Sequence, residues 1–65
     1  MIRIWIVYDA ATGAVRSAWR RLPSAGVASP GEAVAEMLVQ AAMLSHVVGM
    51  RFVGGRLVDP RLVGA

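Results

Sequence analysis

The sequence has no cysteine and only one histidine, His46. A chain without cysteine forms no disulfide and has neither a thiol nucleophile nor a zinc–thiolate site, and one histidine cannot build a multi-histidine metal centre. Lysine is absent too, so all seven basic residues are arginine, set against four acidic residues. We therefore expect no metal site and no bound cofactor.

What the chain has in excess is apolar side chains. It contains 65 residues, of which 57% are hydrophobic and 17% charged. This length predicts a single domain, residues 1–65. Such a domain buries only about 60% of the surface that its unfolded chain exposes, and small chains usually complete their burial with disulfides, metals or other subunits. With the first two excluded, the composition predicts association with other subunits.

The net charge of +3 is spread along the chain rather than concentrated. The only adjacent basic residues are Arg20 and Arg21, whereas a surface that follows phosphates usually carries a dense basic stripe. Nucleic acid is therefore not the partner that we expect. A small basic nucleic-acid-binding or regulatory module is the alternative, with Arg16, Trp19, Arg20 and Arg21 as its contact face.

No segment has the pattern of a membrane span or a signal peptide. The longest apolar stretch, residues 33–50, is interrupted by Glu36, Gln40, Ser45 and His46. A span needs about 20 mostly apolar residues, and a glutamate at depth costs several kcal/mol. The N-terminus lacks the charged start and small-residue cleavage site of a signal peptide. We expect no membrane span, with a peripheral amphipathic role for 33–50 as a third alternative.

The first third of the sequence predicts a β-hairpin. Residues 2–8 are β-branched or aromatic except for one arginine, and they are followed by the turn sequence Asp-Ala-Ala-Thr-Gly at 9–13 and by a return strand at 14–21. In the simplest register Trp5 and Trp19 share a face, close enough for diagonal contact. Strict alternation along the return strand places three residues on one side: Val15, Ser17 and Trp19.

The middle of the chain predicts a helix. Residues 29–32, Ser-Pro-Gly-Glu, have the form of a capping box with proline at the first helical position. Glu32, Glu36 and Gln40 then recur every four residues among good helix formers. These local patterns favour a helix at about residues 30–48.

A second hairpin is predicted at the C-terminal end, with strands at 50–53 and 56–59 around Gly54-Gly55. Pro60 ends this hairpin, and 61–65 is a short tail. The expected fold class is therefore α+β: hairpin, helix and hairpin. A small all-β unit is the alternative.

No group of residues has the pattern of a catalytic site. Glu32 and Glu36 have no partner charge or aromatic pocket nearby in sequence, and they read as a solvated stripe. Ser45 and His46 are adjacent, so on a helix their side chains point about 100° apart, and His46 reads as a partly buried or interface residue. The Gly26–Gly31 segment lacks the Lys-Ser/Thr of a phosphate-binding loop. We expect neither an enzyme nor a small-molecule substrate.

The large side chains are candidates for contact with another subunit, because interface cores favour tryptophan, tyrosine and arginine. The predicted interface residues are Trp5, Val7, Trp19, Arg20, Leu38, Met43 and Phe52.

Three short motifs bring the sequence close to a known family. They are D-x-x-T-G at Asp9–Gly13, Pro-Gly-Glu-Ala-Val at residues 30–34, and Phe-Val-Gly-Gly-Arg-Leu-Val-Asp-Pro-Arg at residues 52–61. With these motifs, which touch most of the chain, the sequence resembles small tail-associated proteins of tailed bacteriophages and prophages.

The resemblance implies a structural role in a virion, in the tail or tail fibre, without catalysis. The implied partners are other virion proteins and further copies of the chain, and the implied location is a virion assembled in the host cytoplasm. The resemblance also implies that the Gly-Glu-Ala segment continues as a strand in an all-β unit, in contrast to the helix that the local pattern favours.

Overall fold

The computed structural model describes residues 1–24 and 26–59, and these form two antiparallel sheets. The first sheet has the order β2-β1-β3, and the second pairs β4 with β5. A short 3₁₀ helix, Ala41–His46, connects the two sheets. The strands are β1 (Ile2–Asp9), β2 (Val15–Trp19), β3 (Glu32–Val39), β4 (Arg51–Val53) and β5 (Arg56–Val58).

The central strand β1 supplies the middle of the core. Successive side chains of a strand point to opposite faces, and on one face of β1 Ile4 and Ile6 are fully buried while Ile2 and Tyr8 pack partly buried beside them. Val39 and Val47 complete this cluster from β3 and from the end of the 3₁₀ helix. The core therefore lies between this face and the segments that follow β3.

A β-bulge in β2 changes which side chains reach the core. Val7 lies opposite Ser17 but Tyr8 lies opposite Val15, so Arg16 is an extra residue in the ladder. As a result Val15 turns into the core cluster with Ile6. The prediction that Val15, Ser17 and Trp19 share one side is wrong for Val15, because strict alternation does not continue across a bulge.

Beyond the bulge the register is regular. Trp5 lies directly opposite Trp19, which confirms that the two tryptophans share a face, whereas the diagonal contact predicted for them is wrong. The return strand is shorter than the predicted 14–21, since β2 ends at Trp19 and the Arg20-Arg21 pair follows it.

The helix predicted at residues 30–48 is wrong, and with it the α+β fold class. The same residues form the strand β3 and the six-residue 3₁₀ helix, so the described chain is mostly β. Of the capping box, the side-chain contact is present: the Ser29 N–H donates to Glu32 Oε1 at 2.9 Å. However, the Glu32 N–H donates to the Ser29 carbonyl at 2.9 Å, and Gly31 has φ +88°. Proline followed by a positive-φ glycine makes residues 29–32 a type II turn, which directs the chain into a strand.

Pairing with β1 explains why the segment is extended. β3 matches β1 over its whole length, from Ile2 opposite Val39 to Asp9 opposite Glu32. A helix at this position would leave one edge of the buried strand β1 without hydrogen-bond partners, which is costly. The β3 side chains opposite the even-numbered residues of β1 are all apolar: Ala33, Ala35, Met37 and Val39.

The second sheet is the hairpin predicted around Gly54-Gly55. Both glycines have positive φ, +60° and +81°, as a type I′ turn requires. Its strands are slightly shorter than the predicted 50–53 and 56–59. The predicted end at Pro60 and the tail at 61–65 lie outside the described residues.

The hairpin is joined to the first sheet at the start of β2. The Val15 N–H donates to the Met50 carbonyl at 2.9 Å, and the Phe52 N–H donates to the Gly13 carbonyl at 2.7 Å. The rings of Phe52 and Tyr8 pack with their centroids 4.9 Å apart and tilted by 53°. Backbone bonds and an aromatic contact therefore hold the two sheets together.

Nowhere in residues 1–24 and 26–59 is there a helix with the length and apolar character needed to cross a bilayer.

Candidate interaction surface

The first sheet has a second face, opposite the core, that we call the outer face. The register aligns its residues in rows across the three strands, with Val7 between Ser17 and Val34, and Trp5 between Trp19 and Glu36. The outer face consists of Arg3, Trp5, Val7, Ser17, Trp19, Val34, Glu36 and Leu38.

Much of the apolar part of this face is open to solvent. Trp19 is 42% exposed, Val34 41% and Leu38 54%, and Trp5 is half-buried. Val7 lies in the middle of the face but is only 2% exposed, so it is not itself available for contact. Several exposed apolar side chains on one face of a small domain make that face a candidate interaction site.

Polar contacts orient the side chains around this face. The Trp19 indole Nε1–H donates to Ser17 Oγ at 3.0 Å, which directs the ring back along its own strand. Arg3 Nε lies 3.8 Å from Glu36 Oε1, with both side chains exposed. Such an exposed pair contributes only about 0.2–1 kcal/mol, so it affects the charge pattern of the face more than its stability.

An acidic cluster lies at one end of the sheet, where β1 ends and β3 begins. Asp9 and Glu32 are cross-strand neighbours, and Arg16 contacts both: its Nη2 is 3.6 Å from Asp9 Oδ2 and its Nε is 3.8 Å from Glu32 Oε2. The β-bulge supplies this arginine, because the extra residue directs its side chain to the two carboxylates. Arg16 therefore lies within ion-pair distance of both carboxylates, although its side chain is largely exposed.

Asp9 also closes the first turn. Its Oδ1 accepts hydrogen bonds from the N–H groups of Ala11 at 2.8 Å and Thr12 at 3.0 Å. The bonds from Thr12 and Ala11 hold the pKa of the Asp9 carboxyl below its ordinary value, and the charge of Arg16 lowers it further. The sequence motif D-x-x-T-G thus has a physical role as a turn whose first carboxylate binds two backbone donors.

The lowered pKa of Asp9 predicts a loss of stability in acid. Because the folded-state pKa lies below that of the unfolded chain, roughly 3.9, this contribution is fully present above that value. The contribution is lost as the pH falls from the unfolded-state pKa through the lower folded-state pKa. Urea denaturation at pH 7, 5 and 3 should show a smaller drop in midpoint between pH 5 and 3 for Asp9→Asn than for the unmodified chain. Equal drops would contradict the assignment.

The structure brings together some of the predicted interface residues and separates others. Trp5, Trp19 and Leu38 lie on the outer face with the enclosed Val7, and Arg20 is exposed just beyond the end of β2. The remaining two predicted residues, Met43 and Phe52, are half-buried and pack against the core on the opposite side.

The residues weighed for chemistry are dispersed. Glu36 pairs with Arg3, Glu32 pairs with Arg16, and both Ser45 and His46 are exposed on the 3₁₀ helix. Of the two alternatives predicted for His46, its exposure contradicts the partly buried position and does not test the interface role. Within the part of the chain that the structure describes, there is no group of three or more His, Cys, Asp or Glu residues that could hold a metal ion.

Sequence reasoning missed Val34, which lies on the outer face between Val7 and the free side of β3. The pattern that identifies it is the two-residue alternation of Glu32, Val34, Glu36 and Leu38 with the apolar residues between them. A helical reading of the same segment hides this alternation.

The comparisons with known proteins add no relative to this description. No protein-family model matches the chain, and no match was found among curated proteins or solved structures.

Proposed function

We propose that this chain is a structural component of a bacteriophage or phage-like virion, associated with the tail or tail fibre, and that it acts by subunit assembly. The observation that carries the proposal is the outer face. A domain of 65 residues that presents Trp19, Val34 and Leu38 to solvent on one sheet face has apolar surface that a neighbouring virion protein can cover.

The sequence motifs direct this proposal towards a virion. The D-x-x-T-G and V-G-G-R-L-V segments each form a tight turn in the structure, around Asp9 and around Gly54-Gly55. The Gly-Glu-Ala segment between them continues as the strand β3, as the resemblance to small tail-associated proteins implies. Repeated copies on a symmetric particle would cover surface that a single copy leaves open.

The nucleic-acid alternative has less support. Of its proposed contact residues, Arg16 is engaged by Asp9 and Glu32, which leaves Arg20 and Arg21 as the adjacent charges. A surface that follows a phosphate backbone needs more cations that are free of carboxylates.

The direct test is mass spectrometry of purified particles produced by the cells that encode this chain. We expect the chain in the particle fraction at a stoichiometry of many copies, and its absence from intact particles would count against the proposal.

A matched pair of variants tests the part played by the outer face. Trp19 and Val53 are both exposed strand residues, 42% and 52%, but only Trp19 lies on the outer face. We expect Trp19→Thr to reduce incorporation into particles by at least about tenfold, the loss of one interface anchor worth ~1.4 kcal/mol or more. Val53→Thr should leave incorporation unchanged. Equal incorporation of the two variants would exclude the outer face as the docking surface.

A further inference from the structure

We infer that the β3 edge pairs with the β3 edge of a second copy, antiparallel and across a two-fold axis, to give a continuous six-stranded sheet. This inference goes beyond the proposed function, because it concerns the purified chain in solution and names the partner as the chain itself. It begins with the difference between the two edges of the first sheet.

The β2 edge is protected. β2 has only five residues and contains the bulge at Arg16. At its start, the outward-facing backbone of Gly13 and Val15 is bonded to Phe52 and Met50. Bulges, short length and covering segments are the means by which proteins prevent pairing at a sheet edge.

The β3 edge has none of these features. It is eight residues long, pairs with β1 without interruption and contains no proline. Within residues 1–24 and 26–59, no strand is bonded to its other side. A long, regular and open edge is a template for another strand.

The hydrogen-bond pattern shows which β3 groups point outward. The Ala10 N–H donates to the Gly31 carbonyl at 2.9 Å, so this pair is of the hydrogen-bonded type. In an antiparallel ladder such pairs alternate with non-bonded ones, which directs the backbone of the odd-numbered residues of β3 towards β1. The N–H and C=O groups of Val34, Glu36 and Leu38 therefore point away from the sheet.

Self-pairing must match these outward residues with each other, and charge together with the length of the overlap selects the register. Placing Glu36 opposite Glu36 of the second copy would oppose like charges, which is destabilising. A shift that places Ala35 opposite Ala35 instead sets Glu36 against Val34 of the second copy and Glu32 against Leu38 of the second copy. Arg3 of the second copy lies beside that leucine, about two strand spacings or ~9.5 Å from Glu32, within reach of two long side chains.

This register is why a second copy is the favoured occupant. The strand carries a pattern that complements itself, since each carboxylate of one copy faces an apolar residue of the other, and beyond the partner of Glu32 lies an arginine, Arg3. Pairing would also extend the outer face, since Val34 and Leu38 of both copies would lie in the middle of the enlarged sheet.

The absence of cysteine from the chain makes disulfide mapping a direct test. In the inferred register Ala35 lies on the two-fold axis in a non-bonded pair, with Cα atoms about 4.5 Å apart, within the range for a disulfide. Mild oxidation of Ala35→Cys should therefore yield most of the protein as a covalent dimer. Glu36→Cys should cross-link at least about tenfold less, because its Cα atoms would be more than 7 Å apart.

Other outcomes overturn the inference. Preferential cross-linking of Glu36→Cys would exclude the register, and preferential cross-linking of Trp19→Cys would show stacking through the outer face instead. Absence of cross-linking in all three variants would exclude self-pairing.

A measurement on the unmodified chain tests the inferred self-pairing without any substitution. The amide hydrogens of Val34, Glu36 and Leu38 should exchange at least about tenfold more slowly at high than at low protein concentration. The Ala18 amide, on the protected β2 edge, serves as the control and should show no such dependence. Exchange independent of concentration at all four amides would overturn the inference while leaving the presence of the chain in particles untouched.

Discussion

Gly13→Ala is expected to destabilise the domain by about 2–4 kcal/mol, the sum of a left-handed backbone penalty of about 1–2 kcal/mol and the loss of a backbone hydrogen bond. Gly13 has φ +83°, and a Cβ atom added there would lie 2.6 Å from the Phe52 carbonyl oxygen. The backbone of Phe52 cannot retreat freely, because its N–H donates to the Gly13 carbonyl at 2.7 Å. The substitution therefore disrupts the junction between the two sheets.

The matched control is Gly55→Ala. Gly55 has nearly the same φ, +81°, but a Cβ atom there meets nothing within 4 Å. This variant should lose only the conformational part, about 1–2 kcal/mol. Urea denaturation followed by circular dichroism at a fixed protein concentration measures both. If the two variants were equally stable, the close approach of Gly13 to Phe52 would be disproved.

Ile6→Ala is the second substitution with a large expected effect. Ile6 is 0% exposed and packs within the core cluster at the centre of β1. Truncating a buried isoleucine to alanine costs about 2–5 kcal/mol, because apolar contacts are lost and a cavity remains. At about 0.05–0.15 kcal/mol per residue, the free energy of unfolding of a domain this small is only about 3–10 kcal/mol. We therefore expect a large fraction of the Ile6→Ala molecules to be unfolded at 37 °C.

Val53→Ala provides the comparison for Ile6→Ala. Val53 is also a β-branched strand residue, but it is exposed on β4. Its truncation should change the free energy of unfolding by no more than about 0.5 kcal/mol. Thermal and urea melts of the two variants at equal concentration should differ widely, and similar losses would mean that the core does not centre on β1.

The two hairpins were predictable because their turns are determined by local chemistry. Asp9 binds the backbone N–H groups that follow it, and Gly54-Gly55 supplies the two positive φ angles of a type I′ turn. Neither feature depends on what packs against it. The shared face of Trp5 and Trp19 was predicted, but their direct pairing was not, because the register next to the turn would place Trp5 opposite Ala18 and the bulge at Arg16 shifts it by one residue.

The middle segment was not predictable from local patterns, because the spacing of its polar residues fits both a helix and a strand. Glu32 and Glu36 are four residues apart, which is close to one helical turn and is also an even number, so they share a face on a helix and on a strand alike. The contact between Glu32 and the Ser29 N–H likewise occurs in both a capping box and the turn that is present.

The interaction surface was predicted only in part for the same reason. Trp5 and Trp19 follow from the hairpin, whereas Val34 becomes an outer-face residue only when β3 is extended. Met43 and Phe52 were predicted as interface residues, but the tertiary fold packs both against the core. The bulge at Arg16 was also invisible, because nothing in residues 14–21 shows which residue the ladder will leave out.

The sequence by itself determined the turns, the apolar character of β1 and the excess of hydrophobic surface, since these depend on residue type and nearest neighbours. Only the tertiary structure decided that residues 32–39 are a strand, which faces β2 and β3 present, and which sheet edge stays open. The physical reason is that β1 needs hydrogen-bond partners along both of its sides, and that requirement is met by residues some 30 positions away. Local preference for a helix is worth only a few tenths of a kcal/mol per residue, and the hydrogen bonds of a complete β-ladder outweigh it.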